Sequence, residues 1–200
     1  MKVLLGSHYT GNIAYYKALK NADEALIEVH DHYVKQSYRN RCEIYGANGK
    51  LKLILPLERS GTRTPMHEVR IDNSQQWQKL HWRSLESAYR SSPYFEYYES
   101  HFSPFYQEPF ESLVALNKAL FEKITSLLEI DTPVNYTTSY EKEYEGFEDL
   151  REVIHPKVDH PKNRINFEYM QVFDMKYGYI PNLSMLDLMF NEGPRCVALL

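Results

Sequence analysis

The stretch His30-Asp31-His32-Tyr33-Val34-Lys35-Gln36-Ser37-Tyr38-Arg39-Asn40-Arg41 places two histidines, one carboxylate and three cations within twelve residues. It lies between an apolar run, Ala25 to Val29, and a hairpin pattern. Unpaired charge is costly to bury, so a core strand would not carry this polarity without partners. A plain solvated loop would carry more Gly, Pro and Ser. The segment therefore lines something polar, and an anionic ligand is the simplest occupant. On an extended segment Lys35, Arg39 and Arg41 all point to one side, and an arginine fork matches phosphate or carboxylate oxygens. The competing reading is a solvated edge whose cations pair with acidic neighbours. His30 and His32 would share one face of a strand and, with Glu28, supply part of a metal site. A third ligand would have to come from elsewhere. The reading kept is a histidine that binds a ligand or moves a proton, with no metal, because imidazole as a class titrates near neutral pH.

Histidine recurs in two other informative places. His8-Tyr9-Thr10-Gly11-Asn12 follows the first strand-like run, and parallel α/β sheets bind ligands at such strand ends. The turn resembles the histidine-glycine turn of nucleotidylyltransferases but lacks the second histidine of that pattern. In the helical pattern Gln75 to Arg90, His81 shares a face with Trp77, Leu85 and Ala88. A histidine there is ordinarily a satisfied core residue, and it joins a site only if the helix faces the His30 segment. Lys79, Arg83, Glu86 and Arg90 form a charged stripe on the same helix, the usual mark of a solvated face. No phosphate-binding Walker loop, dinucleotide glycine fingerprint or nucleophile elbow occurs, and the sequence identifies no cofactor.

These residues need elements to position them. Lys2 to Leu5 reads as a short buried strand, Ile13 to Ala22 as a helix capped by Asn12, and Ala25 to Val29 as a second strand. That order predicts a β-α-β unit with two parallel strands. Cys42 to Tyr45 and Leu51 to Leu57 flank an Asn48-Gly49 turn and predict a hairpin, with the Leu51, Leu53, Leu55 face buried. Glu58 to Glu68 lacks any apolar pattern, carries Gly61 and Pro65, and is predicted to be a mobile flap. Phe110 to Leu128 is the strongest amphipathic helix, and Asp131 to Tyr140 holds a late strand that returns to the sheet. Glu141 to Lys162 is charged and weakly patterned. Asn182 to Asn191 is a last helix, in which Ser184 and Asp187 resemble a capping box. The expected fold is one α/β domain over residues 1–200, with a small mixed sheet, an N-terminal β-α-β unit, a β-hairpin and a helix-rich second half.

The composition narrows the function. Two hundred residues suffice for one core, and a net charge of −4 argues against a nucleic-acid binder, which needs a basic surface. Cys42 and Cys196 are the only cysteines, far apart and outside any CxxC pair. That excludes a zinc ribbon and suits a reducing compartment. No run approaches a transmembrane span, so the expected location is the cytoplasm.

The chain resembles the WbqC-like protein family. The resemblance rests on Tyr15, Tyr16 and Asp23, on Lys35-Gln36-Ser37-Tyr38-Arg39-Asn40-Arg41, and on Ala47-Asn48-Gly49. It continues in Trp77-Gln78-Lys79-Leu80-His81-Trp82-Arg83 and Ser92-Pro93-Tyr94-Phe95-Glu96-Tyr97-Tyr98, and closes on Asn182-Leu183-Ser184 and Asp187 through Pro194. Many relatives carry a Pro-x-Tyr-Phe-Pro turn after the first strand, where this chain has Ser7 to Asn12. The resemblance implies bacterial surface-polysaccharide biosynthesis, with glycine transfer onto an O-antigen sugar as the reaction proposed for the family. Placed in that scheme, His8, Lys35, Arg39, Asn40, Arg41 and Lys79 bind an anionic or sugar-nucleotide ligand. Asn40 bonds a sugar hydroxyl or polarises a carbonyl, and His30 or His81 takes the proton from the attacking amine. The expected partners are this small molecule and other glycan-biosynthesis enzymes. The alternatives are a non-enzymatic glycan-precursor or partner-binding protein, and a nucleotidyltransferase-like enzyme.

Overall fold

The computed structural model describes residues 1–59 and 63–200. Strand β1 (Lys2–Gly6), helix α1 (Ile13–Lys20) and strand β2 (Glu24–Glu28) form the expected β-α-β unit. The strands are parallel, in register from Lys2 opposite Glu24 to Gly6 opposite Glu28. The continuous apolar run of β1 suits a central strand covered on both faces, and Val3, Leu4 and Leu5 are fully buried. Asn12 caps α1 by accepting the Tyr15 backbone N–H at 3.0 Å. Gly11 precedes the cap at φ +56, and a Cβ there would sit 2.7 Å from the Tyr16 ring, so only glycine fits.

Two later strands complete the sheet. β5 (Val134–Tyr136) adds to β2, inside the window where a returning strand is expected, and β6 (Phe147–Asp149) adds to β1. The order is β5-β2-β1-β6, all parallel. β6 lies in the charged, weakly patterned stretch, where no strand is expected. Strands β3 (Arg41–Gly46) and β4 (Gly49–Ile54) pair antiparallel around Ala47-Asn48. Both pairing modes occur, as expected, but in separate sheets. Leu53 and Leu55 are buried as expected, whereas Leu51 is 39% exposed. Leu51 lines an open groove between the hairpin tip and the facing helix, with Leu80, Arg83, Ser84, Ser87 and Ala88 on the other wall, so it is only partly covered.

The rest is largely helical. It comprises α2 (Trp77–Tyr89), α3 (Phe95–Phe102), α4 (Leu113–Leu127), α5 (Asp174–Tyr177), α6 (Met185–Glu192) and α7 (Cys196–Leu199). The α4 stripe Leu113, Leu116, Leu120 and Ile124 is buried, as its spacing predicts. The capping box expected at Ser184 forms only in part. Ser184 accepts from the Leu186 backbone N–H, but Asp187 is fully enclosed and turns to other donors. The Tyr89 and Tyr169 hydroxyls each donate to it at 2.6 Å, and Gln171 Nε2 at 3.2 Å. Burial raises the Asp187 pKa and these hydrogen bonds oppose the rise, so the carboxylate serves as an internal tie between α2, α6 and the chain at 169–171.

The flap expected over Glu58 to Glu68 falls partly on Ser60 to Thr62, which lie outside the described residues. Its described flanks are pinned. Tyr33 N–H donates to the Thr64 carbonyl at 2.9 Å, Met66 N–H donates to the Asp31 carbonyl at 2.7 Å, and the Met66 side chain is fully buried. One buried methionine in a polar run leaves no periodic signal.

Candidate active site at the strand ends

The C-terminal ends of the parallel strands converge on a buried carboxylate. Glu28, the last residue of β2, is fully enclosed. It accepts from Thr137 Oγ1 at 2.8 Å just beyond β5, from the His30 backbone N–H at 2.8 Å, from the Tyr144 hydroxyl at 3.1 Å and from Arg151 Nη1 at 3.2 Å. Arg151 follows β6, pairs with Asp149 and lies over the rings of Tyr140 and Tyr144. Every oxygen of Glu28 has partners, so this network is a frame that locks three strand ends and the backbone of His30 in place.

A less satisfied cluster sits on that frame. The chain between β2 and β3 is not extended. Ser37 Oγ donates to the Val34 carbonyl at 2.6 Å, Gln36 takes φ +60, and turns occupy 35–36 and 38–39. The expected alignment of Lys35, Arg39 and Arg41 therefore does not form: Lys35 stays exposed while Arg39 and Arg41 are buried. Tyr9 N–H donates to the Tyr38 carbonyl at 2.9 Å and Asn117 Nδ2 to the Arg39 carbonyl at 2.9 Å, which ties this turn to the His8 turn. The His8 ring lies 5.7 Å from the Tyr38 ring. Arg39 is ion-paired with Asp31 and lies 3.7 Å from Glu152. Arg41 is only 8% exposed and makes no ion pair among the described residues. The buried atoms Arg39 Nε, Arg41 Nε, Asp31 Oδ1 and His8 Nδ1 have no hydrogen-bond partner there. Buried polar atoms are rarely left unpaired without a reason.

Electrostatics joins His155 to the cluster, a residue with no signal in sequence because its charged segment is only weakly patterned. Burial pushes the His8 imidazole down to about 3, and the charges of Arg39 and His155 push the same way. His155 is lowered first by burial, then by Arg41 and Arg39, against the opposite pull of Glu152. Asp31 is raised by burial in spite of its pairing with Arg39. The arrangement is therefore two buried guanidiniums beside two imidazoles that favour the neutral state. It can bind an oxyanion and offer it uncharged N–H donors.

The other sequence-predicted residues lie elsewhere. The His30 ring packs against His67, with ring centroids 4.5 Å apart, immediately before the Asp31 partner of Arg39. His32 is exposed and its backbone bridges Pro65, so the two imidazoles are not on one strand face. Asn40 Nδ2 donates to the Leu55 carbonyl at 2.9 Å and fastens the hairpin base. Lys79 and His81 line a groove of about 440 Å³ between β4 and α2, with Ile54, Trp77 and Arg83; its lining includes none of His8, His30, Arg39 or Arg41. His81 is the satisfied core residue its stripe suggests: Nδ1 lies 2.9 Å from the Tyr9 hydroxyl and Nε2 lies 3.2 Å from the Ile54 carbonyl. Among the described residues, no group of three His, Cys, Asp or Glu side chains could hold a metal ion.

This environment has a pH consequence. Burial pushes His81 down to about 4, although the hydrogen bond to Ile54 pulls upward. Its contribution to stability is complete above the unfolded-state value near 6.5 and is lost as pH falls from there toward about 4. Asp31 and Asp187, both raised, act in the opposite sense. The comparison of wild type with His81→Gln removes their contribution. The urea midpoint of His81→Gln is expected to fall less steeply than that of wild type between pH 6.5 and 4. Parallel slopes would show that His81 is protonated in the folded state.

A parallel α/β sheet with buried arginines and histidines near its strand ends defines the class: an α/β protein with a buried cationic cluster. The chain belongs to the WbqC-like protein family, whose model matches residues 7–156. That span includes His8, Arg39, Arg41, Arg151 and His155. The chain is also similar to the "Uncharacterized protein Rv1507c" of Mycobacterium tuberculosis, 28% identical over 215 residues that cover 95% of this chain and 93% of that protein. No solved structure matches it. No helix of the described residues is long and apolar enough to cross a membrane.

Proposed function

We propose that this protein is a transferase of bacterial surface-polysaccharide assembly, acting in the cytoplasm on an anionic, sugar-nucleotide-type substrate. The observation that carries the reading is the pair of buried arginines with unpartnered Nε atoms beside His8 and His155. Arg41 is a buried cation without a carboxylate of its own among the described residues, which is costly, and an incoming phosphate or carboxylate repays that cost. Family membership supports the process, and the geometry supports the charge of the ligand. In this reading Arg39 and Arg41 grip the phosphates and His8 adds a neutral donor. The sugar amine attacks the carbonyl of an aminoacyl ester or thioester and forms an amide; His30, whose ring makes no hydrogen bond among the described residues, accepts the amine proton and returns it to the alcohol or thiol that leaves. Lys35 and Lys79 lie outside this grip, and His81, with both nitrogens engaged, is not the base.

The second reading is a non-enzymatic glycan-precursor binder. One fact favours it: His30 and His81, the two histidines expected to do proton chemistry, do not meet. Both readings require the anion site. A ligand that binds only the folded state at a hundredfold excess over its Kd stabilises by about 2.7 kcal/mol. UDP-N-acetylglucosamine and inorganic pyrophosphate are expected to raise the melting temperature, and uncharged N-acetylglucosamine is not. No shift with either anion at millimolar concentration would overturn the site.

A further inference from the structure

A narrow cavity lies beside His8, lined by Ser7, His8, Tyr15, Ile27, Asn117 and Tyr136 among others. The free space at its middle is about 10 Å³, close to the room that one water molecule needs. Three of the buried side-chain atoms without a protein partner belong to residues of this lining: His8 Nδ1, Asn117 Oδ1 and the Tyr136 hydroxyl. The Asn117 amide has one possible orientation. The Arg39 carbonyl can only accept, so the atom 2.9 Å from it must be Nδ2. Nδ2 also donates to Ser7 Oγ at 3.3 Å. Oδ1 therefore faces away from both, as a pure acceptor.

We infer that one internal water molecule is a fixed part of this site, bound by His8 Nδ1, Asn117 Oδ1 and the Tyr136 hydroxyl. A water has two hydrogens and lone pairs to accept more. It donates one hydrogen to Asn117 Oδ1 and the other to His8 Nδ1, and it accepts the hydroxyl hydrogen of Tyr136. No polar hydrogen among these groups is left unmatched. In the opposite tautomer His8 Nδ1–H points at the water. The second water hydrogen must then go to the Tyr136 or the Ser7 oxygen, and the hydroxyl hydrogen of that residue is left without an acceptor in the cavity, which is costly. Ser7 Oγ accepts from Asn117 Nδ2, and in the Nε2–H tautomer its own hydrogen fills the second lone pair of the water. The water thus selects the neutral His8 tautomer that carries its proton on Nε2.

The consequence is a role for residues far apart in sequence. Asn117 on α4 and Tyr136 on β5 become positioning residues that set which His8 nitrogen is a donor. The burial and neighbouring charges that hold His8 neutral at pH 7 are consistent with this. The Nε2–H is then the group with which His8 meets an anion held by Arg39 and Arg41. That last step rests on the proposed anion site, whereas the water and the tautomer do not.

Two measurements on the ligand-free protein test the inference. A crystal structure at about 1.8 Å or better is expected to show a single water peak within hydrogen-bond distance, about 2.6–3.2 Å, of all three atoms. Long-range ¹H–¹⁵N correlation of the histidine rings at pH 7 is expected to give His8 the Nε2–H pattern. In Tyr136→Phe, which keeps the ring and removes only the hydroxyl, the water peak is expected to weaken or vanish. A dry cavity, an Nδ1–H pattern for His8, or an undiminished water in Tyr136→Phe would each overturn the inference. Anion affinity enters none of these readouts, so a failure of the proposed function would leave them unchanged.

Discussion

Replacing Glu28 with alanine is expected to lower the free energy of unfolding by about 3–5 kcal/mol, the usual loss when one partner of a buried ion pair is removed. Glu28 is fully enclosed, and its two oxygens accept from Thr137, Tyr144, Arg151 and the His30 backbone. Alanine leaves Thr137 Oγ1 and the His30 N–H without this acceptor, while Tyr144 keeps the Ser139 carbonyl and Arg151 keeps the carbonyls of Glu141 and Lys142. Arg151 keeps Asp149, which places the effect nearer the lower bound. Glu28→Gln preserves the shape and one acceptor oxygen but adds an amide donor facing other donors, so an intermediate loss is expected. Urea denaturation at pH 7 measures both. A loss under 1 kcal/mol in Glu28→Ala would mean that the strand ends are held by apolar packing alone.

Much of the scaffold can be read from local pattern. The β1-α1-β2 unit follows from an apolar run, an Asn12 cap and helical spacing, and in the structure its two strands are parallel neighbours, as expected. The stripes of α2 and α4 follow from a 3.6-residue period, and the hairpin from Asn48-Gly49. What local pattern misses is set by tertiary contact. β6 is three residues long in a charged stretch, and it becomes a strand because β1 offers it an open edge. Asp187 has the spacing of a capping box, but three donors brought from elsewhere claim its oxygens.

The site divides in the same way. The His8 turn and the arginines stand out by residue type, and the structure brings them together. The turns at 35–39 break the alignment that an extended segment would give, so Lys35 leaves and Asn40 becomes a structural tie. His155 and Arg151 carry no signal in sequence, because only the parallel addition of β6 delivers them to the strand ends.

The second large effect concerns Arg41. It is the first residue of β3, nearly enclosed, and without an ion pair among the described residues. A guanidinium in that position destabilises the free protein unless an anion meets it. Arg41→Met keeps an unbranched apolar stem and removes the charge. Its stability without ligand is expected to equal or exceed that of wild type. Its affinity for an anion is expected to fall by about 1.5–3 kcal/mol, the loss of a hydrogen bond to a charged group, or roughly 10- to 150-fold. Arg39 is a poorer probe, because its removal strands the buried Asp31 carboxylate.

Titration calorimetry of UDP-N-acetylglucosamine into wild type and Arg41→Met, with melting curves of both ligand-free proteins, is the most direct test of the anion site. Measurable binding to wild type, a loss of at least tenfold in Arg41→Met and an unlowered melting temperature are the expected result. Equal affinity in a fully folded Arg41→Met would contradict it, and the arginine cluster would then be an ordinary buried edge of the fold.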